Sequence, residues 1–206
     1  MDSARPERYR LFVAIRIPDQ IKVAMAAAQA ELRHVLPERA VNWTKPEQLH
    51  LTLKFLDNVE VQRVDTLRQQ LGGACNGFSP LRLGAERVGA FPDLRFPRVI
   101  WVGLKDDTGQ LTQLQGAVEA ASGEFTSQPA EERFSGHVTL GRAKRLKRRE
   151  AQILSGWLSR MADRSFGEWT ANEIDLMRSE LSSEGARHTS IGRLPFKGLT
   201  PTGPDE

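Results

Sequence analysis

Two short motifs, one in each half of the chain, place a histidine and a threonine at the same spacing. The first is His-Leu-Thr-Leu, with His50 and Thr52, and the second is His-Val-Thr-Leu, with His137 and Thr139. A free imidazole has a pKa of about 6.5, so at neutral pH one histidine can accept a proton while another donates one. A threonine hydroxyl can donate a hydrogen bond to a phosphate oxygen. The pair of motifs therefore predicts acid–base chemistry at a phosphate group.

The repetition of the motif carries more weight than either copy alone. A single His-x-Thr string arises often by chance and would ordinarily mark a surface histidine on a strand. Here two of the four histidines in the chain have it. In-line displacement at phosphorus puts the entering and leaving oxygens on opposite sides, so the base and the acid should come from two strands that face each other. His50 and His137 are the candidate proton-transfer pair, and Thr52 and Thr139 are the candidate donors to the non-bridging oxygens.

Both motifs lie in segments that alternate apolar and polar residues, which is typical of a half-buried strand. In the first segment the leucines around His50 are predicted to share one face with Phe55, while His50 and Thr52 share the other. The second segment repeats this pattern. Alternation then points Arg142, which follows the second motif, away from His137 unless the strand ends there, in which case Arg142 is a candidate phosphate contact. Phe55 and Trp43 are interpreted first as packing residues and second as platforms for a base.

The rest of the chain mixes amphipathic helical segments and strand-like segments with short connections, and long parallel alternation is missing. This arrangement predicts an α+β fold. Each half has helices, strands and one motif, so residues 1–206 are predicted to form a single domain of two similar lobes. Residues 198–206, rich in proline and glycine, are predicted to fray.

The composition is that of an ordinary globular protein, with 39% hydrophobic and 27% charged residues among 206. No apolar run is long enough for a membrane span, and the N-terminus lacks the apolar region of a signal peptide. The single cysteine, Cys75, excludes an internal disulfide and a cysteine-rich metal site. We expect a cytoplasmic monomer that does not bind membranes.

The chain contains no pattern that suggests a metal or a cofactor. A His-Glu-x-x-His string, paired cysteines, and carboxylates clustered beside the motif histidines are all missing. A glycine-rich phosphate loop is missing as well, which argues against ATP-driven ligation. We therefore expect a reaction that needs neither a metal nor a cofactor.

Positive charge is concentrated directly after the second motif. The formal net charge is only +3, but the sequence pI is about 9.3. A basic run of this kind suits a polyanion such as RNA, and the alternative is a solvated helix start. The basic run consists of Arg142, Lys144, Arg145, Lys147, Arg148 and Arg149.

The paired motifs, in a chain of this length, resemble those of the 2H phosphoesterase superfamily. The similarity is most specific to the RNA 2',3'-cyclic phosphodiesterases, also called 2'-5' RNA ligases, and it extends from Tyr9 to about Phe196. The segments that carry it are 10–15, 43–56, 134–142 and 176–179. The resemblance implies a two-lobed α+β fold in which two antiparallel sheets form a V-shaped groove, with helices on the outside and one motif on each wall.

The resemblance also implies roles for the motif residues. His50 would donate a proton to the leaving 3' oxygen, His137 would accept a proton from water, and Thr52 and Thr139 would hold the phosphate. The product would be a 2'-phosphomonoester, and 2'-5' ligation would be the same chemistry in reverse.

Two residues depart from the family pattern. Gly136 stands where a proline usually precedes the second histidine, and His188 stands where a tyrosine is common. If His188 lines the groove, contacts with the base or ribose differ in this chain.

Two other functions remain open on the sequence. A phosphodiesterase for small cyclic nucleotides would use the same residues. A non-catalytic RNA-binding module would keep the fold and the basic run, but binding alone has no need for two titrating imidazoles.

Overall fold

The computed structural model describes residues 6–198 except 95, 132, 145 and 184. The predicted fraying of the C-terminus therefore lies outside the described residues from 199 onwards. The elements are β1 (Arg8–Arg16), α1 (Asp19–Val35), β2 (Val41–Trp43), β3 (His50–Glu60), α2 (Val64–Cys75), β4 (Leu81–Phe91), β5 (Val99–Lys105), α3 (Gln110–Ser122), β6 (His137–Ala143), α4 (Arg148–Arg160), β7 (Ser165–Ala171), β8 (Glu173–Ser182) and β9 (Gly185–Pro195).

Within the described residues, nine antiparallel strands form one sheet. Their order is β7-β4-β5-β6-β3-β1-β8-β9, and β2 pairs with the far end of β6. β3 and β6 are the strands that carry the two motifs, and a single pair, Leu51 opposite Val138, joins them. The α+β class and the antiparallel pairing are confirmed. The two expected sheets are the two halves of this sheet, which meet at that one residue pair.

Two helices cover each half of the sheet. α2 and α3 pack on each other and contact β9 and β3, respectively, whereas α1 and α4 contact each other, with β7 and β4 beneath them. α1 buries Ile21, Met25 and Leu32, which recur at helical spacing on one side. Leu51 and Val138 are fully buried on the side of the sheet covered by the helices. The opposite face is therefore the one that presents the motif histidines.

A bulge in β3 changes the face on which the residues after the first motif lie. Along β1, Phe12 is opposite Phe55 and Ala14 is opposite Thr52, so β3 contains one extra residue between these pairs. An extra residue reverses the alternation of side chains beyond it. Phe55 is consequently on the His50 face, where 53% of it is exposed. The expectation that Phe55 shares the face of the leucines was wrong.

β6 contains a bulge at the equivalent position. Trp101 of β5 is opposite Thr139, but Ile100 is opposite Gly141, so Leu140 is the extra residue. The next pair, Val99 opposite Arg142, is back on the face of Thr139. The expectation that Arg142 points away from His137 was therefore wrong, because it assumed an uninterrupted alternation.

Among the described residues, no helix has the length and apolar character needed to cross a membrane.

Candidate active site

All four motif side chains lie on one face, where the two halves of the sheet meet. Because Leu51 and Val138 are opposite each other and point into the core, the residues on either side of each point to the other face. The antiparallel direction puts His50 on the side of Thr139 and Thr52 on the side of His137. The structure thus brings together the four residues predicted from the sequence, each of them half-buried.

Both imidazoles are held by the same local hydrogen bond. Nδ1 of His50 is 2.6 Å from the carbonyl oxygen of Gln48, and Nδ1 of His137 is 2.8 Å from that of Ser135. A carbonyl can only accept, so Nδ1 must be the donor in each case. The acceptor is two residues before the histidine in both motifs. Each ring therefore keeps Nε2 for exchange of a proton with a bound molecule.

Aromatic rings fix the orientation of both histidines. The Phe12 ring is 4.8 Å from that of His50, and the Phe91 ring meets that of His137 edge-on at 5.1 Å, measured between centroids. Trp101 lies 6.5 Å from His137. Opposite Trp101 stands Gly89, where a Cβ would collide with the indole ring. The sequence analysis missed these supporting rings, since a phenylalanine in a strand gives no sign of which face it occupies.

His188 of β9 lies beside His50 in this site. Its ring meets that of His50 edge-on at 5.3 Å and that of Phe12 at 4.9 Å. Nδ1 of His188 is buried, and within the described part of the chain it has no hydrogen-bond partner. The family position pointed to this residue, and the structure places it against the first motif.

Burial lowers the pKa of both histidines in this half of the site, His50 and His188. The pKa of His50 is lowered to about 4, chiefly by burial and also by the neighbouring His188, while the hydrogen bond to Gln48 acts in the opposite direction. The pKa of His188 is lowered by burial and by the charge of Arg10. In the free protein His50 is therefore a neutral imidazole at pH 7.

An arginine next to the first motif was not anticipated. Arg16 is opposite His50 in the sheet, and its Nη2 donates to Oδ1 of Asp175 over 2.7 Å. Asp175 is fully buried and also accepts a 2.5 Å hydrogen bond from Ser190. The Arg16 side chain is 45% exposed. The buried carboxylate of Asp175 therefore holds a partly exposed cation at the edge of the site. A lone arginine in a strand offered no signal that could have revealed this pair.

The basic run extends from the second motif to the start of α4. Arg145 lies outside the described residues, and the other members are exposed. None of the ion pairs found in the described part of the chain involves Arg142, Lys144 or the residues 147–149. The described members of the run thus have no ion-pair partner among the described residues, and they begin on the face of His137.

The described residues contain no group of three or more His, Cys, Asp or Glu side chains arranged to hold a metal ion.

Comparison with known proteins places this arrangement in a family. The sequence model of the family described as LigT like Phosphoesterase matches the chain twice, over residues 15–101 and 102–188. An RNA 2',3'-cyclic phosphodiesterase of Archaeoglobus fulgidus is 34% identical over 176 residues, which are 85% of this chain and 94% of that protein. A Thermus thermophilus protein with the same name is 31% identical and covers 92% of this chain and 91% of its own length.

Solved structures show the same fold. TT0787 of Thermus thermophilus superimposes with a TM-score of 0.75 at 26% identity, covering 92% of this chain and 98% of that one. Escherichia coli LigT complexed with 3'-AMP gives a TM-score of 0.72 at 22% identity over 92% of this chain and 99% of that one. Each copy of the family match contains one His-x-Thr motif, and both motifs lie on the shared face described above. The chain belongs to the LigT-like phosphoesterase family.

Proposed function

We propose that this protein hydrolyses the 2',3'-cyclic phosphodiester at the end of an RNA to a 2'-phosphomonoester without a metal ion. The observation that carries the proposal is the pair of imidazoles, each bonded through Nδ1 to a carbonyl and each beside a threonine, on one face at the junction of the two half-sheets. The names of the relatives support RNA ends as the substrate class. A cyclic phosphodiester carries one negative charge, which two imidazoles and two hydroxyls can accommodate.

The reaction follows from the placement of the two histidines. His137 takes a proton from a water molecule through Nε2, and the water oxygen forms a bond to phosphorus. The bond from phosphorus to the 3' oxygen breaks on the opposite side, and His50 donates a proton to that oxygen. Thr52 and Thr139 donate hydrogen bonds to the non-bridging oxygens. With a 5' hydroxyl in place of water as the nucleophile, the same displacement of the 3' oxygen would give a 2'-5' phosphodiester, which is 2'-5' ligation.

Donation by His50 requires that the bound substrate raise its pKa. The imidazole is neutral in the free protein because burial disfavours its charged form. An anionic phosphate beside the ring favours the imidazolium and so acts in the opposite direction. We propose that the substrate itself brings His50 into the protonated form in which it acts.

Titration of His50 by NMR is expected to show this coupling. In the free protein the ring resonances should titrate with a pKa of about 4. Saturating inorganic phosphate should raise that pKa, since a nearby anion stabilises the cationic form. His188→Phe should also raise it, because a neighbouring titrating imidazole is removed. A free-protein pKa near the ordinary value of about 6.5, unmoved by phosphate, would contradict the proposed coupling.

Phe55 supports a nucleotide substrate over a small phosphate ester. Its ring is 6.0 Å from that of Phe12, on the His50 face, and half of it is exposed. An exposed aromatic ring beside a phosphate site can stack on any base. An RNA end and a small cyclic nucleotide both offer such a base, so the relative kcat/KM values must show which of the two is the better substrate. We expect a higher kcat/KM for an oligonucleotide with a cyclic phosphate end than for a cyclic mononucleotide, and equal values would favour the small substrate.

We propose that the basic run gathers the RNA strand towards the site. Arg142 is on the face of His137, so the described cations of the run begin at the site and continue to the first turn of α4. Replacing Lys144, Arg145, Lys147 and Arg148 by glutamine should weaken oligonucleotide binding. Each lost phosphate contact should reduce the log–log salt slope by about 0.7 for a single strand. The measurement is binding of a non-hydrolysable oligonucleotide at several salt concentrations.

Hydrolysis of a cyclic mononucleotide is the control for this variant. That substrate is too short to reach α4, so its kcat/KM should change little. An unchanged salt slope for the oligonucleotide would identify the run as a solvated helix start.

We propose that residues 1–206 act as one domain of two lobes, as a cytoplasmic monomer. Each lobe supplies one histidine, one threonine and two covering helices. Neither lobe alone contains the proton-transfer pair. The free, buried Cys75 suits a reducing compartment.

A further inference from the structure

Both His-x-Thr motifs are followed by a bulge that involves the third residue after the histidine. The extra residue is in the Leu53 region of β3 and at Leu140 in β6. In each strand the bulge turns the fifth residue after the histidine, Phe55 or Arg142, onto the face of that histidine. Had either strand continued regularly, that side chain would point into the core. The composition of the site therefore depends on both irregularities.

A buried glutamine from a covering helix contacts each bulge. Gln29 of α1 is 1% exposed, and its Nε2 donates to the carbonyl oxygens of Leu140 over 2.7 Å and Thr44 over 2.8 Å. The Leu140 carbonyl also accepts a hydrogen bond from the Thr44 amide. The side-chain amide thus ties α1 to the bulge in β6 and to the chain that leaves β2.

Gln115 of α3 occupies the equivalent place in the other lobe. It is 6% exposed, and its Nε2 lies 3.5 Å from the carbonyl oxygen of Leu53 and 3.2 Å from Oε2 of Glu119. The contact with Leu53 is longer than that of Gln29 with Leu140, so this side chain holds its bulge less tightly.

Glutamines at these two positions need an explanation beyond packing. A buried amide is costly unless its donors and acceptor find partners, whereas a methionine would fill a similar volume without that cost. Gln29 and Gln115 are also the only glutamines among the buried polar residues of the described chain, and both face a motif strand. A glutamine side-chain amide contacts the backbone at both bulges, which indicates that the role of this amide is to fix the shape of the bulge.

We propose that Gln29 and Gln115 are positioning residues, which fix the two bulges and thereby hold Arg142 and Phe55 on the face of the motif histidines. The inference rests on the proposed function, in which these two side chains contact the nucleotide. Neither glutamine touches the substrate. Each acts through the backbone of the strand in front of it.

A double-mutant cycle between Gln29 and Arg142 tests the proposal. The variants Gln29→Met, Arg142→Ala and the double variant are compared for kcat and KM on an oligonucleotide with a cyclic phosphate end. Gln29→Met and Arg142→Ala should each raise KM, by roughly tenfold for the loss of one charged hydrogen bond. The KM of the double variant should be no higher than that of Arg142→Ala alone, because displacing the bulge has no further effect once the arginine side chain is absent. kcat should change less than KM in all three.

The matched control is Ser122→Ala. Ser122 is also buried and polar, but its hydroxyl donates to the Val118 carbonyl within α3 over 2.6 Å, away from both bulges. This variant should lose stability without a change in KM. Comparing Ser122→Ala with Gln29→Met therefore separates a general loss of packing, which affects stability alone, from an effect on the bulge, which also raises KM.

The outcomes are distinct. The proposal would be overturned if the KM increases of the two single variants multiply in the double variant. It would also be overturned if Gln29→Met raises KM while Arg142→Ala leaves KM unchanged. If Gln29→Met does not fold, the cycle of Gln115→Met with Phe55→Ala applies, with the same expected non-additivity. If the wild-type protein does not turn over RNA, the proposed function fails. The backbone amide shifts of Gly141 and Arg142 then decide the inference, because they should move in Gln29→Met and stay in place in Ser122→Ala.

Discussion

Replacing His50 or His137 by alanine is expected to reduce hydrolysis of the cyclic phosphate by about 10²–10⁴-fold, the usual contribution of one acid–base group. Each imidazole has a separate proton-transfer task, and its Nδ1 is already occupied by a backbone carbonyl. Neither ring lies in the core between sheet and helices, so both variants should fold. The measurement is kcat on an oligonucleotide, together with thermal unfolding of each variant.

His34→Ala is the matched control for these variants. His34 is exposed near the end of α1 and is the remaining histidine of the chain outside the site. Its loss should leave turnover unchanged. Thr52→Ala and Thr139→Ala should cost less than the histidine variants, because each removes one donor to the phosphate. Turnover at the wild-type rate in folded His50→Ala or His137→Ala would contradict the assignment.

Removing the carboxylate of Glu119 is expected to destabilise the protein by about 3–5 kcal/mol, as for a buried ion pair deprived of one partner. Lys54 follows the first motif, and only 4% of its side chain is exposed. Its Nζ lies 2.5 Å from Oε1 of Glu119 and 3.0 Å from the carbonyl oxygen of Pro129. In Glu119→Ala the ammonium would stay buried without its counter-charge. Denaturant-induced unfolding of both proteins gives the difference in free energy.

The exposed pair of Arg82 and Glu168 provides the comparison. Their side chains are 79% and 55% exposed, so Glu168→Ala should leave the midpoint of denaturant-induced unfolding almost unchanged. Replacing both members of the buried pair, as Lys54→Met with Glu119→Leu, should recover much of the loss because no unpaired charge remains. A cost below about 1 kcal/mol for Glu119→Ala would show that water reaches Lys54.

The sequence was sufficient to predict the α+β fold and the shared face of the histidine and threonine within each motif. Alternation around His50 and His137 depends only on neighbours in the chain, so it could be read directly from the residues. The motif histidines come before the bulges, and the predicted faces hold as far as Thr52 and Thr139.

Beyond each motif the prediction failed because the bulges depend on distant residues. Alternation of apolar and polar residues looks the same whether or not an extra residue is inserted. The amide that holds Leu140 comes from Gln29, 111 residues earlier in the chain. Similarly, the sequence around Lys54 does not reveal that this side chain is buried, because its ion-pair partner Glu119 comes from α3. Arg16 became part of the site only through Asp175, 159 residues later.

The most direct test of the proposed reaction is to identify its product by ³¹P NMR. The protein is incubated in EDTA and ¹⁸O-enriched water with an RNA that ends in a 2',3'-cyclic phosphate. We predict complete conversion to a 2'-phosphomonoester with one ¹⁸O atom on phosphorus, because water activated by His137 displaces the 3' oxygen. A 3'-phosphomonoester, or turnover only after a divalent ion is added, would contradict the two-histidine mechanism.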